Sequence, residues 1–251
     1  MKTVLVTLAA GLVLTTTQAA IFFNETFTYP DGNLTATSGG LWTAHSGSAV
    51  LPIQSTGGQA ILAQGGGTRE DINRSAGSTL AAGQTWYAGF DVTVSGSVTG
   101  AVYFAHFLQS SSIFGGRVFV TNSPTGGDFR FALSSSSGTA QSIWSSDADL
   151  DSTYRVVVSY DFDTGSSQLW INPALQSDPS ITATGIAGNG MIGFALRQGT
   201  GDASGQAIDN LIVASDFSEA LTGIAVPEPS SLALGLAAGA GIAAMRTRRK
   251  A

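Results

Sequence analysis

The stretch from Tyr154 to Ile171 reads YRVVVSYDFDTGSSQLWI and decides the fold. Its first part, Tyr154 to Tyr160, is a run of β-branched and aromatic residues typical of a strand, and Gln168 to Ile171 is typical of a second strand. The segment between them, Asp161 to Gly165, favours a tight turn, because Asp hydrogen-bonds to nearby backbone and Gly adopts positive φ. The sequence therefore predicts a β-hairpin here.

The same pattern extends on both sides of this hairpin. Short apolar runs alternate with turns rich in Gly, Ser and Thr, and no long segment before residue 230 has the 3.6-residue period of an amphipathic helix. The further predicted strands are Ile21–Thr28, Trp86–Val94, Ala101–Leu108, Arg117–Thr121, Phe129–Leu133, Met191–Arg197 and Ala207–Val213. This alternation predicts one all-β domain, a β-sandwich or barrel, over residues 20–218.

Part of this domain resembles a known group of folds. The hairpin followed by Asn172-Pro173, the segment Phe194 to Gly199 and the segment Ile208 to Val213 are similar to strands of concanavalin A-like, laminin-G-like jelly rolls in surface proteins. The resemblance implies a jelly-roll β-sandwich, a fold that also hosts glycoside hydrolases.

The N-terminus has the layout of a secretory signal peptide. A positive charge at Lys2 precedes the apolar run Val4 to Leu14, and small residues occupy the positions that signal peptidase reads. We expect residues 1–19 to be removed by cleavage between Ala19 and Ala20.

The C-terminus combines a rigid segment, an apolar span and a basic end. Pro227-Glu228-Pro229 favours an extended backbone. Residues 230–245 carry no charge, and as a helix they would span about 24 Å, against a hydrocarbon core of about 30 Å. The positive charges after the span should stay cytoplasmic: Arg246, Arg248, Arg249 and Lys250. The sequence predicts a short transmembrane helix, and a lasting single-pass anchor or a buried Gly- and Ala-rich helix are the alternatives.

Residues 226–251 resemble the PEP-CTERM sorting signal of exported bacterial proteins. The resemblance implies that exosortase recognises Pro227, Glu228 and Pro229, that residues 230–251 are removed or act as a transient anchor, and that the host makes exopolysaccharide. With residues 219–226 as a linker and 227–251 as the sorting signal, we expect an exported protein of the cell surface or extracellular matrix.

Charge excludes one class of partner. Between the two terminal signals the chain has six Arg, no Lys and sixteen Asp and Glu, a net charge of about −10. Binding to nucleic acid needs a basic surface, so we expect no nucleic-acid partner. The chain has no cysteine, which excludes a small disulfide-stapled scaffold.

Catalytic signatures are missing from the sequence. Glycosidases need two carboxylates that flank the scissile bond, whereas Glu25, Glu70 and Glu219 lie far apart along the chain. The two histidines, His45 and His106, have no metal-ligand spacing. We interpret His106 as a hydrogen-bonded strand residue and assign no catalytic residue.

Two weak binding signals remain. Asp147, Asp149 and Asp151 resemble the start of a calcium loop but lack its later Gly and acidic residue, so calcium is the one cofactor that the sequence leaves open. Tryptophans of a sandwich usually pack in its core. We expect Trp170 to be half-buried and name Trp144 as the candidate for stacking on a sugar.

The sequence thus supports three hypotheses. The first is a non-enzymatic exported protein that binds polysaccharide or contributes to extracellular polymer. The second is a secreted jelly-roll glycoside hydrolase or polysaccharide lyase, which needs catalytic groups on one sheet face. The third is a passive structural coat module. We favour the first.

Overall fold

Two antiparallel sheets form the fold in the computed structural model, which describes residues 20–47, 50–200 and 202–223. In chain order the elements are β1 Ile21–Glu25, β2 Gly32–Asn33, α1 Leu34–Thr37, β3 Thr43–Ser46, β4 Gln54–Thr56, β5 Gln59–Ala63, β6 Asp71–Ser75, β7 Thr85–Ser97, β8 Val102–Leu108, β9 Phe114–Asn122, β10 Phe129–Ser134, β11 Ser142–Ile143, β12 Thr153–Asp161, β13 Ser167–Ile171, β14 Ile181–Ala183, β15 Gly193–Leu196, β16 Ala203–Ala214 and α2 Phe217–Thr222.

The nine-stranded sheet has the order β14-β13-β12-β7-β16-β5-β4-β2, with β1 also paired to β16. The seven-stranded sheet has the order β11-β10-β9-β8-β15-β6-β3. Neighbours within each sheet are often distant in sequence, as in a β-sandwich rather than a simple meander. The all-β sandwich expected from the sequence is confirmed.

The predicted hairpin is present as β12 and β13, with Val158 opposite Leu169 and Val157 opposite Trp170. The other predicted strands also coincide with strands of the structure, although β1 ends at Glu25. Phe27 has a φ of 49°, a left-handed conformation that ends the extended run.

The core lies between the sheets and follows the alternation of the strands. Along β7 the even-numbered side chains point inward and are buried: Trp86, Ala88, Phe90, Val92 and Val94. The ring of Phe90 contacts Phe104 of β8 and Phe194 of β15, at centroid distances of 6.2 and 6.0 Å. Burial of a Val or Phe side chain among them stabilises the fold by about 1.5–3 kcal/mol.

Helix α2 covers part of the outer face of the nine-stranded sheet. Asp216 caps its N-terminus by accepting from the N–H of Ser218 at 2.8 Å, and Gly223 ends it in a left-handed conformation. The ring of Phe217 packs 5.0 Å from that of Trp170.

This helix corrects two expectations. Residues 219–222, assigned to the linker, belong to α2 and pack on the domain, with Glu219 fully buried. Trp170 is 1% exposed rather than half-buried, because Phe217 covers the outer side of its strand.

Several predicted features lie outside the described residues: the signal peptide with Ala19, residues 224–226 of the linker, the Pro227-Glu228-Pro229 motif, the apolar span 230–245 and the basic end from Arg246 to Lys250. Within the described ranges, no helix has both the length and the apolar character needed to span a membrane.

Candidate functional site

A cluster of aromatic, cationic and imidazole side chains lies on the outer side of the seven-stranded sheet. We call it the arginine face, and it comprises His45, Asp71, Tyr103, His106, Phe114, Arg117 and Arg197. These residues come from β3, β6, β8 and β9 and from the position after β15.

An irregularity in β8 brings the cluster together. The pairing of β8 with β9 shifts between Tyr103 and Ala105 and again between Ala105 and Phe107. In a regular strand, Tyr103 and His106 would point to opposite faces, but the shift lets their rings meet at 5.6 Å. Opposite His106 on β15 stands Ala195.

Both arginines pack against the ring of Tyr103. The guanidinium carbon of Arg197 is 4.1 Å from the ring centroid, and that of Arg117 is 5.1 Å away. Arg117 also lies 5.2 Å from the ring of Phe114 and is 8% exposed. Cations at such distances are attracted by the negative face of the ring. Burial lowers the pKa of Arg117, with a further lowering from the charge of Arg197.

The hydrogen bonds of these arginines leave donors unused. Arg117 donates from one terminal nitrogen to the carbonyl of Ser136 at 2.9 Å, while its buried Nε has no partner among the described residues. Arg197 donates to the carbonyl of Tyr103 at 3.4 Å, and its Nε lies 4.0 Å from Oδ2 of Asp71. A guanidinium has five N–H donors, so both groups can bind further acceptors.

His106 is a neutral, fully buried base below the arginines. Its Nδ1 is 3.1 Å from the carbonyl oxygen of Phe107, and because a carbonyl only accepts, Nδ1 carries the proton. Burial lowers the pKa of His106 to about 3. Its Nε2 is therefore an acceptor, and it has no hydrogen-bond partner in the described part of the chain. The expected strand position and hydrogen bond of His106 are confirmed.

His45 and Asp71 complete the face. The His45 ring lies 6.1 Å from that of His106, and burial lowers its pKa despite the opposing charge of Asp71. Asp71 accepts from the N–H of Gln198 at 2.9 Å and from the hydroxyl of Ser46 at 3.2 Å, while burial raises its pKa.

The predicted calcium residues stand on a different part of the surface. The carboxylate of Asp147 accepts from Ser123, Thr125 and Arg130 at 2.6 to 2.7 Å, and these hydrogen bonds, that of Thr125 foremost, lower its pKa. Among the described residues, no group of three His, Cys, Asp or Glu could hold a metal ion. Calcium binding at Asp147, Asp149 and Asp151 stays a prediction.

The predicted sugar-stacking residue is also separate from the arginine face. Trp144 directly follows the edge strand β11, so β10 and β9 lie between it and the strand of Tyr103. It is half-buried and packs against the core. Its role in binding stays a prediction.

Buried Glu25 has a structural position. Its carboxylate accepts from the N–H of Phe27, the hydroxyl of Tyr29 and Nε1 of Trp42, and it pairs with Arg74. These four donors connect β1 to the neighbouring loop and to β6.

A second candidate is a cavity of about 330 Å³ beside α2. Its polar groups largely bind one another. Arg155 donates to Asp91, to the carbonyl of Asn210 and to that of Ala220, and the Asn210 amide donates to Asp91 at 2.8 Å. This network holds α2 on the sheet, although the buried Nε of Arg155 has no partner among the described residues.

No protein-family model matches the sequence, and no curated protein matches it. Among solved structures the chain is similar to a sialidase, with a TM-score of 0.50 and 13% identity over 78% of this chain but only 19% of that one. It is also similar to arcelin-5, a lectin-like defense protein from Phaseolus vulgaris (0.45, 12% identity, 80% and 99% covered), and to a Lotus tetragonolobus seed lectin (0.46, 12% identity, 77% and 97% covered). The all-β sandwich of this chain therefore has a sialidase and lectins among its structural neighbours.

Proposed function

We propose that this protein is an exported, non-enzymatic carbohydrate-binding jelly roll and that the arginine face is its binding site. The observation that carries the proposal is the stacking of Arg117 and Arg197 on Tyr103, with the 26% exposed side chain of Arg197 retaining N–H donors. Sugars are bound by planar hydrogen-bonding groups beside apolar surface, and ligand sites combine a few convergent polar groups with aromatic rings.

The non-enzymatic part of the proposal rests on the acids of the site. Hydrolysis of a glycosidic bond uses two carboxylates about 5 to 9.5 Å apart. The arginine face includes one carboxylate, that of Asp71, and it already accepts two hydrogen bonds. The carboxylate of Glu25 is buried and accepts from four donors of the fold, so it has a structural role.

A polysaccharide lyase is the second candidate, since one observation favours it. A lyase needs a cation to neutralise a sugar carboxylate and a base to remove the adjacent proton, and Arg117 stands near neutral His106. The complete burial of His106 disfavours this reading, because a base must reach the proton that it removes. Incubation with oligouronates, monitored for the ultraviolet absorbance of the unsaturated product, tests it, and we expect no increase.

Export is supported by the resemblances at both ends. Ala20, the expected first residue after cleavage, donates its N–H to the hydroxyl of Ser215 at 2.8 Å, and its carbonyl accepts from the N–H of Ser215 at 2.9 Å. A chain that begins at Ala20 would therefore retain both hydrogen bonds to Ser215. We propose that exosortase processes the protein at its C-terminal signal for display at the cell surface or in the matrix.

A glycan array with the full chain, purified in detergent, tests carbohydrate binding. We expect at least one class of glycan to bind, and binding to be lost in Arg197→Ala. The matched control is Arg130→Ala, because Arg130 lies in the same sheet but is already paired with Asp147 at 2.6 Å. No glycan bound above background would leave the passive coat module as the better reading.

A further inference from the structure

We propose that the ligand of the arginine face is an acidic glycan, bound through the carboxylate of a sugar residue. This inference rests on the proposed function and names the chemistry that the same site selects.

The aromatic surface of the site is already covered. Arg197 and Arg117 stack on Tyr103, and the ring of Phe114 has Arg117 at 5.2 Å and the ring of His106 at 4.3 Å. A neutral sugar that binds by stacking needs an open ring. Here guanidinium groups occupy the surface that a stacking sugar would use.

The two arginines that share the Tyr103 ring also repel each other. Both guanidinium carbons lie within 5.1 Å of one ring centroid, and the charge of Arg197 lowers the pKa of Arg117. The nearest carboxylate is that of Asp71, 4.0 Å from Arg197, with its pKa raised by burial. An anion that contacted both guanidiniums would offset this repulsion.

The local charge of the face is opposite in sign to that of the whole domain. Burial keeps both histidines neutral at neutral pH, so two guanidiniums and one carboxylate give the face a net positive charge. The domain as a whole is at about −10. At physiological ionic strength, charges further than about 8 Å away are largely screened, so the local cations decide which ligand binds.

The geometry of the donors points to a carboxylate. Guanidinium binds a planar carboxylate through two parallel N–H···O bonds. The side chain of Arg197 is 26% exposed and makes one hydrogen bond, at 3.4 Å, so it has donors available for such a pair. A sugar residue with a carboxylate also brings hydroxyls, which can bind the remaining donors of the face.

The experiment measures binding of the full chain, in detergent, to oligomers of galacturonate, glucuronate and mannuronate, to the same oligomers with methyl-esterified carboxylates, and to polyglutamate. We expect at least one free uronate to bind and its ester and polyglutamate to bind about 10- to 100-fold more weakly, as for loss of hydrogen bonds to charged groups. Arg197→Gln should weaken uronate binding by a similar factor, Arg197→Lys by less, and Arg130→Gln not at all.

The outcomes separate this inference from the proposed function. Equal binding of acid and ester overturns the acidic specificity but leaves carbohydrate binding intact. Equal binding of polyglutamate overturns it as well, since the site would then bind a carboxylate without a sugar. Unchanged binding in Arg197→Gln also overturns it, since Arg197 would then not bind the sugar carboxylate. If no uronate binds, the inference is wrong, and neutral glycans bound on the array would still support the proposed function.

Discussion

The guanidinium carbon of Arg197 lies 4.1 Å from the centroid of the Tyr103 ring, and Arg117 shares that ring at 5.1 Å. One half-buried side chain thus holds in place two cations, one from β9 and one from the position after β15. Each contact of this kind contributes about 0.5–1 kcal/mol at exposed sites and more when desolvated. The position of the ring therefore sets the position of the donors.

The first prediction concerns this ring. Tyr103→Leu should weaken glycan binding about tenfold, because each arginine loses a cation–π contact and its fixed orientation. Tyr103→Phe keeps the ring and should bind like the wild type. Titration of both variants with the best glycan of the array checks this, with melting temperatures as the control for folding. A Tyr103→Leu variant that binds normally would show that the ring does not position the arginines.

The second prediction is a pH dependence of stability that arises from His106. The pKa of His106 in the folded protein is about 3, below the ordinary value of 6.5. Between these two pH values the unfolded chain therefore binds one proton more at this residue than the folded chain does. The free energy of unfolding should therefore fall as the pH drops below about 6.5, by up to about 1.4 kcal/mol per pH unit until about pH 3.

Comparison with His106→Phe isolates this contribution, because the other titrating groups are common to both proteins. Urea unfolding at several pH values should show that the stability difference between wild type and variant changes over this range. A difference that is independent of pH would mean that His106 titrates normally in the folded protein.

The third prediction tests the docking of α2. A Cβ added to Gly89 would lie 2.0 Å from the carbonyl oxygen of Ala220, which also accepts from Arg155 at 2.7 Å. Gly89→Ala should displace the helix and lower the free energy of unfolding by about 1–3 kcal/mol, as for other overpacked sites. Gly66→Ala is the control, since its added methyl meets nothing within 4 Å. Equal denaturation midpoints for both variants would rule out a close helix contact.

The fourth prediction concerns sorting. Replacement of Pro227, Glu228 and Pro229 by alanine should trap unprocessed protein in the membrane, because the processing enzyme would lose its recognition motif. Immunoblots of membrane and extracellular fractions from an exosortase-bearing host measure this. The control is the full chain with Arg197→Ala, which should be processed normally. Identical processing of the motif variant would refute the sorting proposal.

The sequence predicts the strands well because their signal is local. In the hairpin around Asp161 to Gly165, β-branched residues and turn residues all favour the same structure. Helix α2 could not be predicted this way, because its six residues have no long periodic pattern and its stability comes from Phe217 against Trp170 and from close approach at Gly89. The sequence predicts a half-buried Trp170 because the helix that covers it, α2, has no signal in the sequence pattern.

The arginine face is a non-local feature. Its residues come from separate strands and are adjacent only through the sheet order β9-β8-β15-β6-β3. Strict alternation places Tyr103 and His106 on opposite faces, and only the register shift of β8 brings them together. The one sequence signal was compositional: in a domain with six arginines and no lysine, Arg117 and Arg197 lie in or beside predicted strands.

The most direct test of the central claim observes the arginine side chains themselves. The Nε–H resonances of the full chain in detergent can be assigned with single Arg→Lys variants and followed while the best glycan of the array is added. We predict saturable shifts for Arg117 and Arg197. We predict none for Arg130 or for Arg155, which lies beside the cavity near α2. Binding with shifts at Arg155 and none at Arg117 or Arg197 would contradict it.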